Sequence, residues 1–447
     1  MPISSFYGLQ TSLRGLLAQQ RLLDTTGHNI SNASTVGYSR QEAQLVASPA
    51  LLIPAGGTAS GGLASLGSGV DVQSYRRVRD QFLDLQFRGQ STNSAEWTTR
   101  SEVLDRAELA LQEPGDNGIN TQLAEFWDAW SDLGNAPNSP AARQALVQQG
   151  NQLAAAFKTV FDQIGTVSTQ AQAEYADLVR PATATDPGGE IAQIAKEIAT
   201  LNDTIKRQMT GGDSPNDLLD RRDQLLDQLA EYGQISVEPI GTTGSIKVTL
   251  GGQGLVDDAA VSWAGAPAGD AWTPGGKLGA LLEVSKPGGT LDRYRDALDA
   301  VASQLVSDVN GAYGGSFFGG TGAGDLTVAS GLRLDPSTIV AGSAGPGSND
   351  VAQKVAKLRD GASDGAYRAF VARVGADVRE ATRQAANAEA LTDAVEDRRQ
   401  SVAGVSMDEE MTNLVRFQRS YQASARAMST MDEMLDVLIN RTGRVGL

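Results

Sequence analysis

Both ends of this 447-residue chain carry apolar side chains at alternating three- and four-residue steps. This spacing lines them up on one side of a helix and is typical of a coiled-coil seam. The amino-terminal seam consists of Phe6, Leu9, Leu13, Leu16, Leu23 and Ile30, and the carboxyl-terminal seam of Met411, Leu414, Tyr421, Met428, Leu435 and Leu438. Because each seam must be covered to be stable, we expect the terminal helices to pair with each other and with neighbouring copies.

The composition excludes several classes of protein. The chain has 53 acidic and 37 basic residues, and its formal charge of −16 argues against a nucleic acid or an anionic membrane as the main partner. It contains no cysteine, which excludes disulfides, thiolate metal sites and cysteine nucleophiles. Its length is enough for about two to four domains, each with its own core.

No targeting segment or membrane span is expected. The first residues lack a basic region followed by an apolar stretch, so a cleaved Sec-type signal is not predicted. No apolar run reaches the roughly 18 residues that a membrane span requires. If the protein leaves the cell, we expect another export route to carry it.

Helical periodicity covers most of the chain. It predicts helices over residues 3–31, 80–111, 120–130, 140–178, 191–205, 216–232, 291–313 and much of 351–441, with breaks near 360–365 and 404. The Gly-, Ser- and Pro-rich residues 48–69 are interpreted as a loop, and residues 70–75 alternate like a strand.

Short strands and Gly-rich turns dominate the region that begins near residue 233. The predicted fold is therefore mainly α with a β-rich insertion, in an elongated multidomain protein whose terminal helices pair as a coiled coil. The predicted domains are a terminal assembly domain (1–31 and 413–447), a central helical domain (32–232 and 346–412, with helix 291–313) and a β-rich outer domain (233–345).

A search for catalytic and cofactor chemistry finds none. His28 is the single histidine, no Gly-x-Ser-x-Gly elbow accompanies it, and we interpret it as an ordinary surface or interface residue. The Gly-rich stretches near Lys277 and Asp325 lack glycines that phosphate and dinucleotide loops require, and are better interpreted as turns. We therefore predict no enzyme, no metal and no cofactor.

Three further clusters have structural interpretations. Ser406 and Glu409 have the spacing of a helix-capping box. Phe126, Trp127 and Trp130 are expected to pack in a core rather than bind a ligand. The acidic residues of the predicted helix 216–232 alternate with arginines and are interpreted as a solvated face: Asp217, Asp220, Asp223 and Asp227.

The two ends also carry long motifs. Residues 29–40, NISNASTVGYSR, resemble the signature of the axial proteins of the bacterial flagellum, which are rod, hook and hook-associated proteins. Residues 404–426, GVSMDEEMTNLVRFQRSYQASAR, resemble the matching carboxyl-terminal signature. The amino-terminal signature residues are Asn29, Asn32, Thr35, Gly37, Tyr38 and Arg40.

The middle of the chain indicates which axial family this is. The motif SPNDLLDRRDQL at residues 214–225 resembles the central helix of the flagellar hook-associated protein 1 family. Residues 276–282, 291–298 and 309–310 resemble the same family, so the similarity extends over nearly the whole chain.

The resemblance implies a structural protein that joins the hook to the filament through the second junction protein, and forms a ring with its own copies. It also implies export in an unfolded state through the flagellar type III apparatus, assembly outside the cell at the hook tip, and a transient cytoplasmic stage. An export chaperone would cover the carboxyl-terminal helix, where the candidate contacts are Leu414, Val415, Tyr421, Met428, Met431 and Leu435.

Two alternatives remain open at the level of sequence. One is another axial protein of the hook or rod type, and the other is an exported enzyme. We also expect residues 1–31 and 413–447 to be disordered or fraying in the free monomer, because burying each seam residue gains only roughly 1.5–3 kcal/mol. Ordering the backbone of each residue costs roughly 1–2 kcal/mol.

Overall fold

The computed structural model describes residues 6–54, 63–115, 118–267 and 271–441. Residues 1–5 and 442–447 of the predicted terminal domain, and the side chain of Leu438, lie outside the described part. Helices dominate the described residues and sheets are small, which confirms the predicted mainly α fold class. In the described part of the chain, no helix has both the length and the apolar character needed to cross a bilayer.

The helices follow the predicted order, except for two short helices, Gly276–Ser285 and Ser330–Leu334, which lie in the region predicted to be β-rich. They are α1 (Tyr7–Ser31), α2 (Gln81–Leu111), α3 (Ile119–Asn135), α4 (Pro140–Val179), α5 (Glu190–Thr210), α6 (Asn216–Tyr232), α7 (Gly276–Ser285), α8 (Thr290–Tyr313), α9 (Ser330–Leu334), α10 (Asp350–Ala356), α11 (Ala362–Ala403) and α12 (Met407–Asp436). A 3-10 turn (Pro336–Thr338) follows α9, and a π-helical turn (Val437–Arg441) follows α12.

The strands form four antiparallel sheets among the described residues. The strands are β1 (Gln41–Ala47), β2 (Leu51–Pro54), β3 (Leu63–Leu66), β4 (Val70–Arg77), β5 (Ile235–Ile240), β6 (Ser245–Leu250), β7 (Gln253–Asp257), β8 (Ala260–Val261), β9 (Phe318–Gly319) and β10 (Thr327–Val328). β1 pairs with β4, β2 with β3 and β9 with β10, while β5 to β8 form a four-stranded meander.

The loop predicted at residues 48–69 is wrong in part, because β2 and β3 lie within it. Leu51 lies opposite Leu66 in their antiparallel register. Leu51 and Leu52 are exposed, so this part of the hairpin has no buried face. Without a buried face the sequence shows no alternation of apolar and polar residues, and the strand signal is lost.

Side-chain caps fix where several helices begin. Asp80 accepts a hydrogen bond from the Phe82 amide at the start of α2. Ser139 caps α4, and Pro140 occupies the first turn, where its missing N–H costs nothing. Ser406 accepts from the Glu409 amide, which confirms the predicted start of α12.

The main core lies around α3 and α4. Phe126, Trp127 and Trp130 of α3 are buried, which confirms their predicted packing role. The ring of Phe126 lies 5.7 Å from that of Phe317 and 5.2 Å from that of Phe318, centroid to centroid. Contacts at these distances add to the stabilisation that burial provides.

Helix α2 packs along α11 and forms the long spine of the body. The two helices are antiparallel, since Ser101 hydrogen-bonds Thr382 near their middles while Asp84 lies 3.7 Å from Arg399 near their ends. The apolar residues of α7 and α8 join the same core cluster as those of α3 and α4. The division into three domains stays a prediction.

Candidate assembly junction

The terminal helices α1 and α12 pack against each other. They run antiparallel: a β-carbon on Gly8 would lie 3.1 Å from Met431 and one on Gly15 would lie 3.6 Å from Ser424, while Asn29 hydrogen-bonds Glu410. Glycines allow this close approach because they carry no side chain. The pairing of the two ends is therefore present in the single chain, and coiled-coil geometry stays a prediction.

The α12 residues on the α1 side recur at three- and four-residue steps. Leu414, Phe417, Tyr421, Ser424, Met428 and Met431 are half-buried, and Leu435 is buried. This pattern includes most of the carboxyl-terminal seam and of the candidate chaperone contacts. Met411 and Val415 differ from the rest, because both are exposed.

Part of the amino-terminal seam also faces outward. Leu9, Leu16, Leu23 and Ile30 are half-buried, whereas Phe6 and Leu13 are 52% and 43% exposed. Leu17 is 50% exposed. Since Leu13 and Leu17 lie one turn apart, they give α1 an outward apolar stripe.

Helix α12 carries a similar stripe near its start. Met407, Met411 and Val415 are each more than two-fifths exposed and lie four residues apart. Exposed apolar stripes of this kind mark surfaces that other proteins cover. We call the two sets together the terminal stripe: Phe6, Leu13, Leu17, Met407, Met411 and Val415.

A buried polar cluster joins the two end motifs, and we call it the end junction: Asn29, Tyr38, Arg40, Gln41 and Glu410. Glu410 is only 2% exposed. Its carboxylate accepts from Asn29 Nδ2 at 3.2 Å and from Arg40 Nε at 2.8 Å. A buried carboxylate needs such donors, because burial removes its hydration.

Both polar atoms of the Asn29 side-chain amide, Oδ1 and Nδ2, form hydrogen bonds in the end junction. Its Oδ1 accepts from the Gln41 amide at 2.9 Å and from the Tyr38 hydroxyl at 2.8 Å, while Nδ2 also donates to the Gln41 carbonyl at 3.0 Å. Burial and the nearby Asp217, Asp220 and Glu410 raise the pKa of Tyr38, so its hydroxyl stays protonated and can donate.

The other signature residues shape the turn after α1. Asn32 donates to the His28 carbonyl at 3.0 Å and accepts from the Thr35 hydroxyl at 3.3 Å. Gly37 has φ +79°, which agrees with the prediction that it supplies a backbone shape a β-carbon resists. The backbone of Arg40 donates to the Ala403 carbonyl at 2.9 Å, which holds the turn against the end of α11.

The turn is also bonded to α6, in the motif at residues 214–225. The Ser39 amide and hydroxyl both donate to Asp220, at 3.0 and 2.8 Å. Gln41 donates to Asp217 at 2.9 Å and accepts from Asn216 at 3.1 Å. The motif at residues 214–225, which resembles the hook-associated protein 1 family, therefore contacts the signature at residues 29–40, which resembles all flagellar axial proteins.

His28 lies beside this contact. Its Nδ1 is 3.2 Å from the Tyr38 hydroxyl, and its Nε2 is 3.9 Å from Asp217. The side chain is partly exposed, which agrees with the prediction of an ordinary interface residue. Among the described residues, no group of three or more His, Asp and Glu side chains could hold a metal ion.

The prediction of a solvated acidic face on α6 holds for Asp217, which is 67% exposed, and is wrong for the other three aspartates. Asp220, Asp223 and Asp227 are largely buried. Arg77 pairs with Asp220 at 2.8 Å and with Asp223 at 2.7 Å. The reason is tertiary: β4, α2 and α11 bring arginines over α6, and the periodicity of a single helix cannot reveal them.

The arginines belong to three different elements. Arg77 and Arg79 lie at the end of β4 and just after it, Arg88 lies on α2, and Arg399 lies on α11. Arg88 pairs with Asp227 at 2.7 Å, and Arg79 pairs with Asp223 at 2.9 Å.

Charge pairing decides the ionisation of Asp223. Burial alone raises the pKa of its carboxyl, but Arg79, Arg77 and Arg88 together hold it below its ordinary value. Asp223 therefore stays ionised and links β4, α2 and α6.

The sequence interpretation missed Ser39, Gln41 and Glu410 as partners in these contacts. Glu410 lies within a run of acidic residues that suits helix initiation, and only its burial distinguishes it from Glu409. Ser39 lies within the motif and Gln41 directly follows it, so their position beside the signature residue Arg40 is the one signal that could have identified them.

Comparisons with known families agree with these elements. A family model described as the helical domain of flagellar hook-associated protein FlgK matches residues 104–317. A model of the flagella basal body rod protein matches residues 9–38, and one of the flagellar basal body rod FlgEFG protein C-terminal region matches 399–441. The two end matches include most of α1 and all of α12.

Two relatives and one solved structure illustrate the similarity. The chain is 29% identical over 514 residues to flagellar hook-associated protein 1 of Bacillus subtilis, covering 98% of this chain and 99% of the relative. It is 34% identical over 239 residues to flagellar hook-associated protein 1 of Salmonella typhimurium, covering 52% of this chain and 39% of the relative.

The solved structure of the flagellar hook junction protein FlgK from Burkholderia pseudomallei has a TM-score of 0.43 and 23% identity, covering 53% of this chain and 46% of that one. The sequence matches confirm the resemblance of both end motifs and of the middle. The chain belongs to the flagellar hook-associated protein 1 family and is a structural component of the flagellum.

Proposed function

We propose that this protein is a ring-forming subunit that joins the hook to the filament through the second junction protein. One observation carries the proposal: α1 and α12 pair antiparallel, closed by Glu410, and present the terminal stripe outward. A closed pair with an exposed apolar stripe is suited to pack against neighbouring copies, because covering the stripe removes apolar surface from water.

The pairing of α1 with α12 suggests a separate role for each of the three predicted domains. Residues 1–31 and 413–447 form the assembly domain. Residues 32–232 and 346–412, with helix 291–313, form the central domain, and residues 233–345 form the outer domain. The bonds of the end junction and of the 39–41 segment to α6 support rigid attachment of the assembly domain to the central one.

The composition of the chain is compatible with export in an unfolded state. The chain has no cysteine, so it can cross the type III apparatus unfolded and refold outside without forming disulfides. An export chaperone covers α12 before export, and its contacts are the predicted Leu414, Val415, Tyr421, Met428, Met431 and Leu435. The mature position is extracellular, with the hook protein below and the second junction protein above.

The protein acts without catalysing a reaction. Its family is structural, and the buried polar groups of the end junction bond one another. Such groups fix the geometry of the chain rather than present a reactive atom to a substrate. An assay for peptidoglycan hydrolysis is therefore expected to give no turnover.

The test compares Leu13→Asp with Leu109→Asp in cells that lack the native protein. Both leucines are exposed, on α1 and α2 respectively, and neither belongs to the buried core, so we expect both variants to keep the folded core. We expect Leu13→Asp to abolish filament growth while hooks remain, and Leu109→Asp to restore filaments.

A variant lacking residues 1–31 and 413–447 should likewise fail to assemble. Normal filaments with either altered protein would overturn the assembly role of the ends. Loss of the hooks themselves in cells without the protein would instead favour a hook or rod subunit.

A further inference from the structure

Beside α6 lies a cavity of about 840 Å³ that the end junction does not use. It opens between the end of β4, the start of α2, α6 and the turn that joins β5 to β6. Five arginines and two aspartates line it, in a protein whose net charge is strongly negative. The charged lining residues are Arg76, Arg77, Arg79, Arg88, Arg222, Asp84 and Asp223. We call this cavity the arginine groove.

Most of these charges are already paired. Asp223 is bonded to Arg77 and Arg79, and Asp84 to Arg79. Arg88 pairs with Asp227. The two aspartates of the lining are therefore engaged, and they leave no carboxylate for the remaining arginines.

Arg222 is the exception in the arginine groove. It is 7% exposed, yet within the described part of the chain it forms no ion pair. Its Nη1 donates to Asn202 Oδ1 at 2.9 Å and to the Gly244 carbonyl at 2.6 Å, both of which are neutral acceptors. Its Nε is buried with no hydrogen-bond partner, and Nη2 donates to none of the described residues.

A buried guanidinium without a directly paired carboxylate is costly, because its charge loses water and no ion pair replaces that hydration. Burial, with Arg77 and Arg88 nearby, lowers the pKa of Arg222 to about 10 despite the neighbouring Asp223. Its position is fixed by Asn202 and Gly244, so it cannot swing out to water without breaking two hydrogen bonds.

We infer that the arginine groove binds one small oxyanion of the phosphate or sulfate type, held by Arg222 with Arg76 at the rim. A planar guanidinium offers parallel N–H donors that match the oxygens of such an anion. Arg76 is 62% exposed and has only Glu42, at 3.6 Å, as a loose ion-pair partner. The bound anion neutralises Arg222 and thereby strengthens the attachment of the β5–β6 turn to α6.

Calorimetric titration of the full chain with inorganic phosphate, at constant ionic strength balanced by chloride, tests this inference. We expect one site per chain. Arg222→Gln should weaken phosphate binding at least about tenfold, because it removes the charge-assisted contact. Arg221→Gln is the matched control, since Arg221 is adjacent, pairs with Glu197 and lies outside the groove lining.

Phosphate also stabilises proteins nonspecifically by exclusion from their surface. In thermal unfolding we therefore compare how much phosphate raises the melting temperature of each variant. We expect Arg222→Gln to lose the specific part of this rise and Arg221→Gln to keep it. If Arg222→Gln fails to fold, Arg222→Lys and Arg76→Gln serve instead, and each should weaken binding. Absence of binding to the native chain, or unchanged binding in all Arg222 and Arg76 variants, would overturn the inference. The result is independent of the role proposed for the terminal helices.

Discussion

Glu410 places a carboxylate where almost no water reaches it. Its two oxygens face two donors, Arg40 Nε and Asn29 Nδ2. A carboxylate presents a separate acceptor oxygen to each of these donors. The residue thereby joins the first and last helices through one side chain.

We expect Glu410→Gln to lower the free energy of unfolding by about 1–3 kcal/mol. The amide keeps the shape of the carboxylate, but its NH₂ group faces a donor and cannot accept. Urea unfolding of the full chain measures the change. Glu409→Gln is the control, because that side chain is 65% exposed and should shift stability by less than about 0.5 kcal/mol. Equal effects of the two changes would contradict a buried junction.

Residue roles were only partly predictable from the sequence. Ser406, Gly37 and the aromatic residues of α3 follow local rules for caps, turns and apolar spacing, and the structure agrees with each. Asp220 and Asp223 do not follow them, because their arginine partners lie more than a hundred residues away along the chain. Local patterning carries no information about such distant charges.

At the scale of elements, the contact between α1 and α12 depends on small residues. Gly15 lies opposite Ser424, with 3.6 Å between its would-be β-carbon and the serine oxygen. Gly27 lies on the same helix, and nothing comes within 4 Å of the equivalent point. The two glycines therefore separate the effect of contact from the effect of helix propensity.

We expect Gly15→Leu to open the contact and Gly27→Leu to leave it intact. Each change improves intrinsic helix propensity by up to about 1 kcal/mol, so the propensity gain cancels in the comparison. Amide exchange in α12 is the measurement, because α12 itself is unaltered in both variants. Equal protection of α12 in the two proteins would show that Gly15 does not set the helix spacing.

Element boundaries were largely predictable where a helix has an apolar stripe and a cap. The predicted helices at 80–111 and 140–178 agree with α2 and α4 to within a residue or two. The β2–β3 hairpin was missed because its described side chains, such as the exposed Leu51 and Leu52, form no buried face. The α1 contact surface was only partly foreseen, since glycines give no apolar signal although they permit the closest approach.

At the scale of the whole molecule, burial is distributed unevenly. The described part of α1 buries only Ala18, Thr26 and Asn29, and that of α12 buries only Glu410 and Leu435. Helix α3, although shorter, buries a larger and mostly apolar set: Ile119, Leu123, Phe126, Trp127, Ala129, Trp130, Leu133 and Gly134. Local stability follows such burial, so the terminal pair is held less firmly than the core.

Amide exchange of the dilute, unassembled protein should therefore be fast in α1 and α12 and slow in α3 and α4. In the assembled axis the terminal helices should become protected, because neighbouring copies then cover the terminal stripe. Mass spectrometry of proteolytic fragments measures both states. Terminal helices as protected as α3 in the monomer would contradict the predicted fraying.

The bond between Asn29 and Glu410 joins residues 381 positions apart. A chain that stops just before residue 410 leaves Asn29 Nδ2 and Arg40 Nε without the Glu410 carboxylate. Such a fragment keeps its α3 and α4 core but cannot close its ends. Closure of the paired ends therefore requires residues from both end motifs of the same chain.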